Sequence, residues 1–107
     1  MKALLDTNIL IDYLNGIDAA RAEIARYERP LISTITWIEV MVRAQSEEEP
    51  HIRSFLDRFV QVSLDRPVAE RAVSVRRKWK MRLPDAIIWA SAQNADAVLV
   101  TRNSRDF

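Results

Sequence analysis

Four short apolar runs, spread along the chain, each give way at the C-terminal end to a carboxylate or a hydroxyl. The runs read Ala3-Leu4-Leu5-Asp6, Leu31-Ile32-Ser33-Thr34, Phe59-Val60-Gln61-Val62-Ser63 and Ala97-Val98-Leu99-Val100-Thr101. Between them lie stretches whose apolar residues have helical spacing. Short strand-like runs alternating with helices predict an α/β domain with a mostly parallel sheet of about four strands. Ligands of such open sheets bind outside the C-terminal ends of the strands. The polar ends of the four runs therefore share one functional edge.

The helices can be read one by one. Ile9, Leu10, Tyr13 and Leu14 predict a first helix, stopped by Gly16, the only glycine. Ile17, Ala20, Ile24 and Tyr27 predict a second, closed before Pro30. Thr34 is placed to cap a third that runs through Ile35, Ile38 and Val42. Ser46 and Glu49 have capping-box spacing for a fourth, with Ile52, Phe55 and Leu56 inward and Pro50 able to delay its start. Asp65 caps a fifth, with Pro67 in its first turn and Val68, Ala72, Val75 and Trp79 as its buried stripe. Pro84 to Asn94 is the sixth. Its Ala86-Ile87-Ile88-Trp89-Ala90 is apolar all round, so it is expected to be buried on more than one side.

Composition removes several classes of function. The 107 residues suit a single domain, 49% hydrophobic and 29% charged, a globular balance rather than a disordered one. With no cysteine there is neither disulfide nor thiolate metal site, which fits a reducing, cytoplasmic setting. Met1-Lys2-Ala3-Leu4-Leu5-Asp6 does not read as a signal peptide, and no apolar stretch approaches the ~20 residues of a membrane span. A single glycine leaves no phosphate-cradling loop for a nucleotide cofactor. The net charge of +1 hides an asymmetry. Residues 66–82 carry seven bases (Arg66, Arg71, Arg76, Arg77, Lys78, Lys80, Arg82) against Glu70, or +6, and the remainder is −5. Such a segment either holds a polyanion near an acidic site or is a solvated helix face.

The acids supply the chemistry. Asp6 follows the first strand, where Asp often caps a helix. Glu39 is the only charge in Ile35-Thr36-Trp37-Ile38-Glu39-Val40-Met41-Val42. A carboxylate there faces solvent on a narrow stripe, pairs with a base, or ligates a cation. Asp85 opens the apolar sixth helix, where its charge also suits the helix dipole. Asp106 lies just past the last strand. Carboxylates gathered at one place repel one another, and a divalent cation removes the repulsion. Oxygen-only ligands select Mg²⁺ or Mn²⁺ over Zn²⁺. Such a cation can polarise a phosphoryl oxygen and lower the pKa of a bound water. His51, the only histidine, falls outside the group and reads as surface, so no Ser–His–Asp arrangement can be built.

Four motifs in order resemble the PIN-domain ribonucleases, and most of all the VapC-type toxins of toxin–antitoxin pairs. They are Leu4-Leu5-Asp6-Thr7-Asn8-Ile9-Leu10, Ile32-Ser33-Thr34-Ile35-Thr36-Trp37-Ile38-Glu39-Val40, Leu83-Pro84-Asp85-Ala86-Ile87-Ile88-Trp89-Ala90 and Leu99-Val100-Thr101-Arg102-Asn103-Ser104-Arg105-Asp106-Phe107. The resemblance implies a three-layer α/β/α domain over residues 1–107 with a central parallel sheet. It implies Mg²⁺- or Mn²⁺-dependent RNA cleavage by a metal-activated water. By matching position, Asp6, Glu39 and Asp85 look like the family's core acids and Asp106 like the fourth, all four both catalytic and metal-binding. Thr7, Asn8, Thr101 and Asn103 look like groups that orient the acids or the water. Many relatives have an acid at the position of Asn103, which offers a carbonyl oxygen in its place. Relatives also continue past the equivalent of Asp106-Phe107 into a short final strand, which this chain is expected to lack. An antitoxin that covers the acidic pocket, and a homodimer, are the implied partners.

Arg76, Arg77, Lys78, Arg82 and Arg102 are the bases expected to meet the RNA backbone, with Trp79 turned to the core. Three other readings share these residues. One is a PIN-like domain without catalysis that binds protein or RNA. Another is a metal-dependent phosphatase with an Asp nucleophile, which would want an acid where Asn8 stands. The third is a nuclease acting on DNA.

Overall fold

The computed structural model describes residues 2–102. Among these residues, β1 (Ala3–Leu5), β2 (Leu31–Ser33), β3 (Val60–Val62) and β4 (Val98–Val100) form one parallel sheet in the order β3-β2-β1-β4. Six helices connect them: α1 (Thr7–Leu14), α2 (Asp18–Ala25), α3 (Thr34–Val42), α4 (Glu49–Leu56), α5 (Arg66–Trp79) and α6 (Leu83–Asn94).

Successive strand residues point to opposite faces, so a run with no polar break must be covered on both sides. β1 meets that condition, for all three of its residues are buried between β2 and β4. Leu5 packs with Ile9, Leu10, Ile24, Ile32 and Phe55 on one face. Its neighbour Leu4 packs with Leu31, Ile88 and Ala92 on the other. Val100 and Leu99 divide in the same way. The result is three layers, with α1, α2 and α4 over one face and α5 and α6 over the other. α3 joins both, because Val40 belongs to the first core and Ile35 packs against the second.

Helix ends follow local chemistry, with some departures from expectation. Gly16 (φ 80) closes α1 as expected: its N–H bonds to the Tyr13 carbonyl and that of Ile17 to Asp12, which is a Schellman turn. The same pair of bonds closes α6, but the left-handed residue there is Asp96 (φ 55). Ser33, not Thr34, caps α3, its Oγ accepting from the Ile35 N–H. Thr34 is instead the first helical residue and donates to the Val62 carbonyl on the neighbouring strand. The Ser46–Glu49 capping box is not used either. α4 starts at Glu49 with Glu48 in the cap position, because Pro50 fits only in a first turn. Asp65 caps α5, its Oδ1 accepting from Val68 N–H, and α6 starts one residue before Pro84.

The buried stripe of α5 is shorter than its spacing predicts. Val68, Ala72 and Val75 are buried, but Trp79 is 59% exposed. α5 packs chiefly on α6, and Arg71 reaches Asn94 and Gln93 at the far end of that partner. The two helices are thus a hairpin. Lys80 (φ 55) ends α5 and the chain doubles back at once, so Trp79 stands at the turned end rather than between the helices. Among the described residues no helix is long and apolar enough to cross a membrane.

Candidate active site

The end of β1, the start of α1, the body of α3 and the first turn of α6 meet around a cleft of about 400 Å³. Asp6, Glu39 and Asp85 all line it, with Thr7, Asn8 and Arg82. Three acids that are far apart in sequence thus share one wall. Ile11, Ile38, Val42 and Arg43 complete the lining.

Asp6 holds the N-cap position of α1 with extended backbone, yet its side chain makes no capping bond. The Asp6 carboxylate accepts instead from Thr101 Oγ1 at 2.8 Å. The pairing of β1 with β4 sets this up, since Asp6 N–H donates to the Val100 carbonyl at 2.9 Å. The common reason for an Asp at a strand–helix junction is therefore not in use here.

Glu39 is half-buried and takes a 2.7 Å hydrogen bond from Thr7 Oγ1. Thr7 lies 2.9 Å from Thr36 Oγ1, and both threonines are buried. Among the described residues Glu39 thus has a neutral hydroxyl as its partner and no base. Asp85 sits in the first turn of α6, buried, and accepts from Arg82 Nε at 3.2 Å. The Arg82 side chain is 74% exposed, so this pair is a weak tether on the Coulomb scale. It does hold a guanidinium at the cleft beside a carboxylate.

The remaining expected site residues divide. Arg76, Arg77 and Lys78 are exposed in the last turn of α5. Arg102 pairs with Asp12 on α1 at 2.6 Å. Asn103 and Asp106 lie outside the described residues. His51 is exposed on α4. The sequence reading missed Thr36, the buried neighbour of Thr7, and read Arg82 as an RNA contact but not as the partner of Asp85. Each precedes its acid, Glu39 or Asp85, by three residues. That is one helical turn, and the spacing was the available signal.

Among the described residues the donor set is all oxygen, carboxylates and hydroxyls, with no histidine or sulfur ligand lining the cleft. That chemistry suits a hard divalent cation. Among the described residues, however, no group of three or more His, Cys, Asp or Glu side chains is placed to hold a metal ion as it stands. The acids share the wall while each is engaged by its own donor.

The model of the PIN domain family matches residues 3–107. No curated protein matches the chain. Solved structures do. A toxin–antitoxin complex from Klebsiella pneumoniae contains a chain 43% identical, with a TM-score of 0.93, covering 98% of this chain and 89% of that one. DNA-bound VapBC from Salmonella typhimurium is 24% identical, with a TM-score of 0.82 and coverage of 100% and 90%. VapBC2 from Rickettsia felis, bound to a DNA fragment from its promoter, is 21% identical, with a TM-score of 0.79 and coverage of 98% and 90%. The last two are likenesses of fold alone.

Proposed function

The chain belongs to the PIN domain family, and on that premise we propose that it is a Mg²⁺- or Mn²⁺-dependent endoribonuclease, the toxin of a toxin–antitoxin pair. One observation carries the reading: Asp6, in a cap position it does not use for capping, faces the same cleft as Glu39 and Asp85. Asp6, Glu39 and Asp85 are the residues that would hold the cation. When bound, it supplies a polarised phosphoryl oxygen and a water of lowered pKa.

The chain's own groups do the positioning. Thr101 fixes the rotamer of Asp6, and Thr7 that of Glu39. Arg82 offsets charge on Asp85 and presents a guanidinium where a phosphate enters the cleft. Asp106 is proposed as the fourth acid, and Asn8 and Asn103 as groups that orient the attacking water. Arg76, Arg77, Lys78 and Arg102 are proposed contacts to the RNA backbone. The relative from Klebsiella pneumoniae belongs to a toxin–antitoxin complex, which supports an antitoxin as the partner of this chain. We further propose that the protein works as a homodimer.

Cleavage of single-stranded RNA by the repurified protein, with and without Mn²⁺, is the test. Asp6→Asn and Asp85→Asn keep side-chain shape but remove the charge a cation needs. Both are expected to abolish metal-dependent cleavage while leaving the far-ultraviolet circular dichroism unchanged. Near-normal activity in both would sink the catalytic assignment. A DNA strand of the same sequence, assayed beside the RNA, separates a ribonuclease from a deoxyribonuclease.

A further inference from the structure

We propose that Trp79 is a stacking platform for an unpaired base of the RNA, set just outside the cleft. The proposal rests on the RNA-cleaving reading above and adds a recognition site to it. Trp79 closes a helical stripe whose preceding members, Val68, Ala72 and Val75, are buried, yet it is itself 59% exposed. A large aromatic ring so placed is an apolar surface in want of a cover.

Charge says what covers it. The ring lies within the +6 segment, and Lys78 Nζ sits 5.2 Å from its centroid. Arg76, Arg77 and Lys80 are exposed on the same turn and its exit. An apolar protein partner would leave this dense positive charge desolvated, at a cost. A nucleic acid strand satisfies both features, phosphates on the bases and a base on the ring. Stacking on an aromatic ring also needs no base pair to be read, which suits a single strand.

Position ties the ring to the chemistry. Trp79 is three residues from Arg82, which lines the cleft and holds Asp85. Three residues of extended chain span at most about 11 Å. A base stacked on Trp79 therefore lies within a few nucleotides of the phosphate presented to the acids. The left-handed Lys80 (φ 55) between them marks where the chain turns, so Trp79 and Arg82 flank one turn of the hairpin.

The test uses Asp6→Asn protein, in which the strand is expected to stay uncut. Its probes are a single-stranded RNA about eight nucleotides long and a ribose-phosphate strand of equal length without bases. Trp79→Ala is expected to weaken RNA affinity by roughly 5- to 150-fold, the stacking worth of about one base. It should leave the base-free strand's affinity and the salt slope unchanged, because no phosphate contact is lost. Trp79→Phe should keep most of the RNA affinity. Sedimentation of each variant reads the oligomeric state. Unchanged RNA binding by Trp79→Ala overturns the platform and leaves the nuclease reading intact. So does equal loss on both strands, or dissociation of a dimer, which would mean that a second copy covers the ring. No binding of RNA by any variant removes the platform and the RNA reading together.

Discussion

Thr36 illustrates how much a single hydroxyl decides. Thr7 has one proton to donate, and Glu39 in its ionised form can only accept, so the 2.7 Å bond takes that proton. The 2.9 Å contact between the two threonines must then run from Thr36 to Thr7. A chain of two bonds, started from a fully buried residue of α3, thus orients a carboxylate on the same helix. Thr36→Val keeps the shape and removes the first donor. A net hydrogen bond is worth about 1 kcal/mol, so the unfolding midpoint should fall by roughly 4 °C. The urea or thermal midpoint checks it, and no change would mean that water replaces the missing donor at no cost.

Among the elements, legibility depended on whether one residue could announce a boundary by itself. Gly16 could, because its left-handed turn is open to glycine at no steric cost. Asp96 makes the same turn at the end of α6 without that signature, so nothing in the sequence marked it. Asp65 could also be read, since an Asp two residues before a proline has few other local uses. Asp65→Ala should cost about 1 kcal/mol through the lost cap on α5. Equilibrium unfolding in urea measures it, and a cost near zero would show that water or another group caps the helix equally well. The Ser33–Thr34 pair was ambiguous, since either hydroxyl can cap. Tertiary context chose, giving Thr34 to the Val62 carbonyl and Ser33 to the helix. Trp79 was misread for a related reason. Helical spacing says which face a residue shares but not where the facing partner stops. The acids of the cleft were readable because each stood out from apolar surroundings. Thr36 was not, nor was the tie of Arg82 to Asp85, for those roles exist only through the residue one turn away.

At the scale of the whole molecule, two cores lie back to back across one sheet, and the cleft opens where strand ends leave both. Stabilisation from a ligand at that edge is shared by every layer it touches. A divalent cation at a hundredfold excess over its Kd adds about 2.7 kcal/mol to the native state, a rise in Tm of roughly 10 °C for a domain of this size. Titrating Mn²⁺ while following thermal unfolding tests this, and Asp6→Asn should lose most of the shift. A Tm indifferent to millimolar Mn²⁺ in the unsubstituted protein would count against the cation site.

The hydrogen bond from Thr101 to Asp6 spans 95 positions of sequence. β1, an inner strand of the sheet, is therefore made long before β4, the neighbour it pairs with. At about 5–20 residues per second that interval lasts roughly 5–20 s of translation. Until β4 emerges, Leu4 and Leu5 have no partner on that side and Asp6 lacks the hydroxyl that holds it. A chain released at Asp96 should accordingly show no cooperative unfolding transition, and a sharp one would mean that the sheet closes without β4. Under the proposed RNA-cleaving activity, the cleft stays unassembled beside the ribosome's own RNA until β4 has been made.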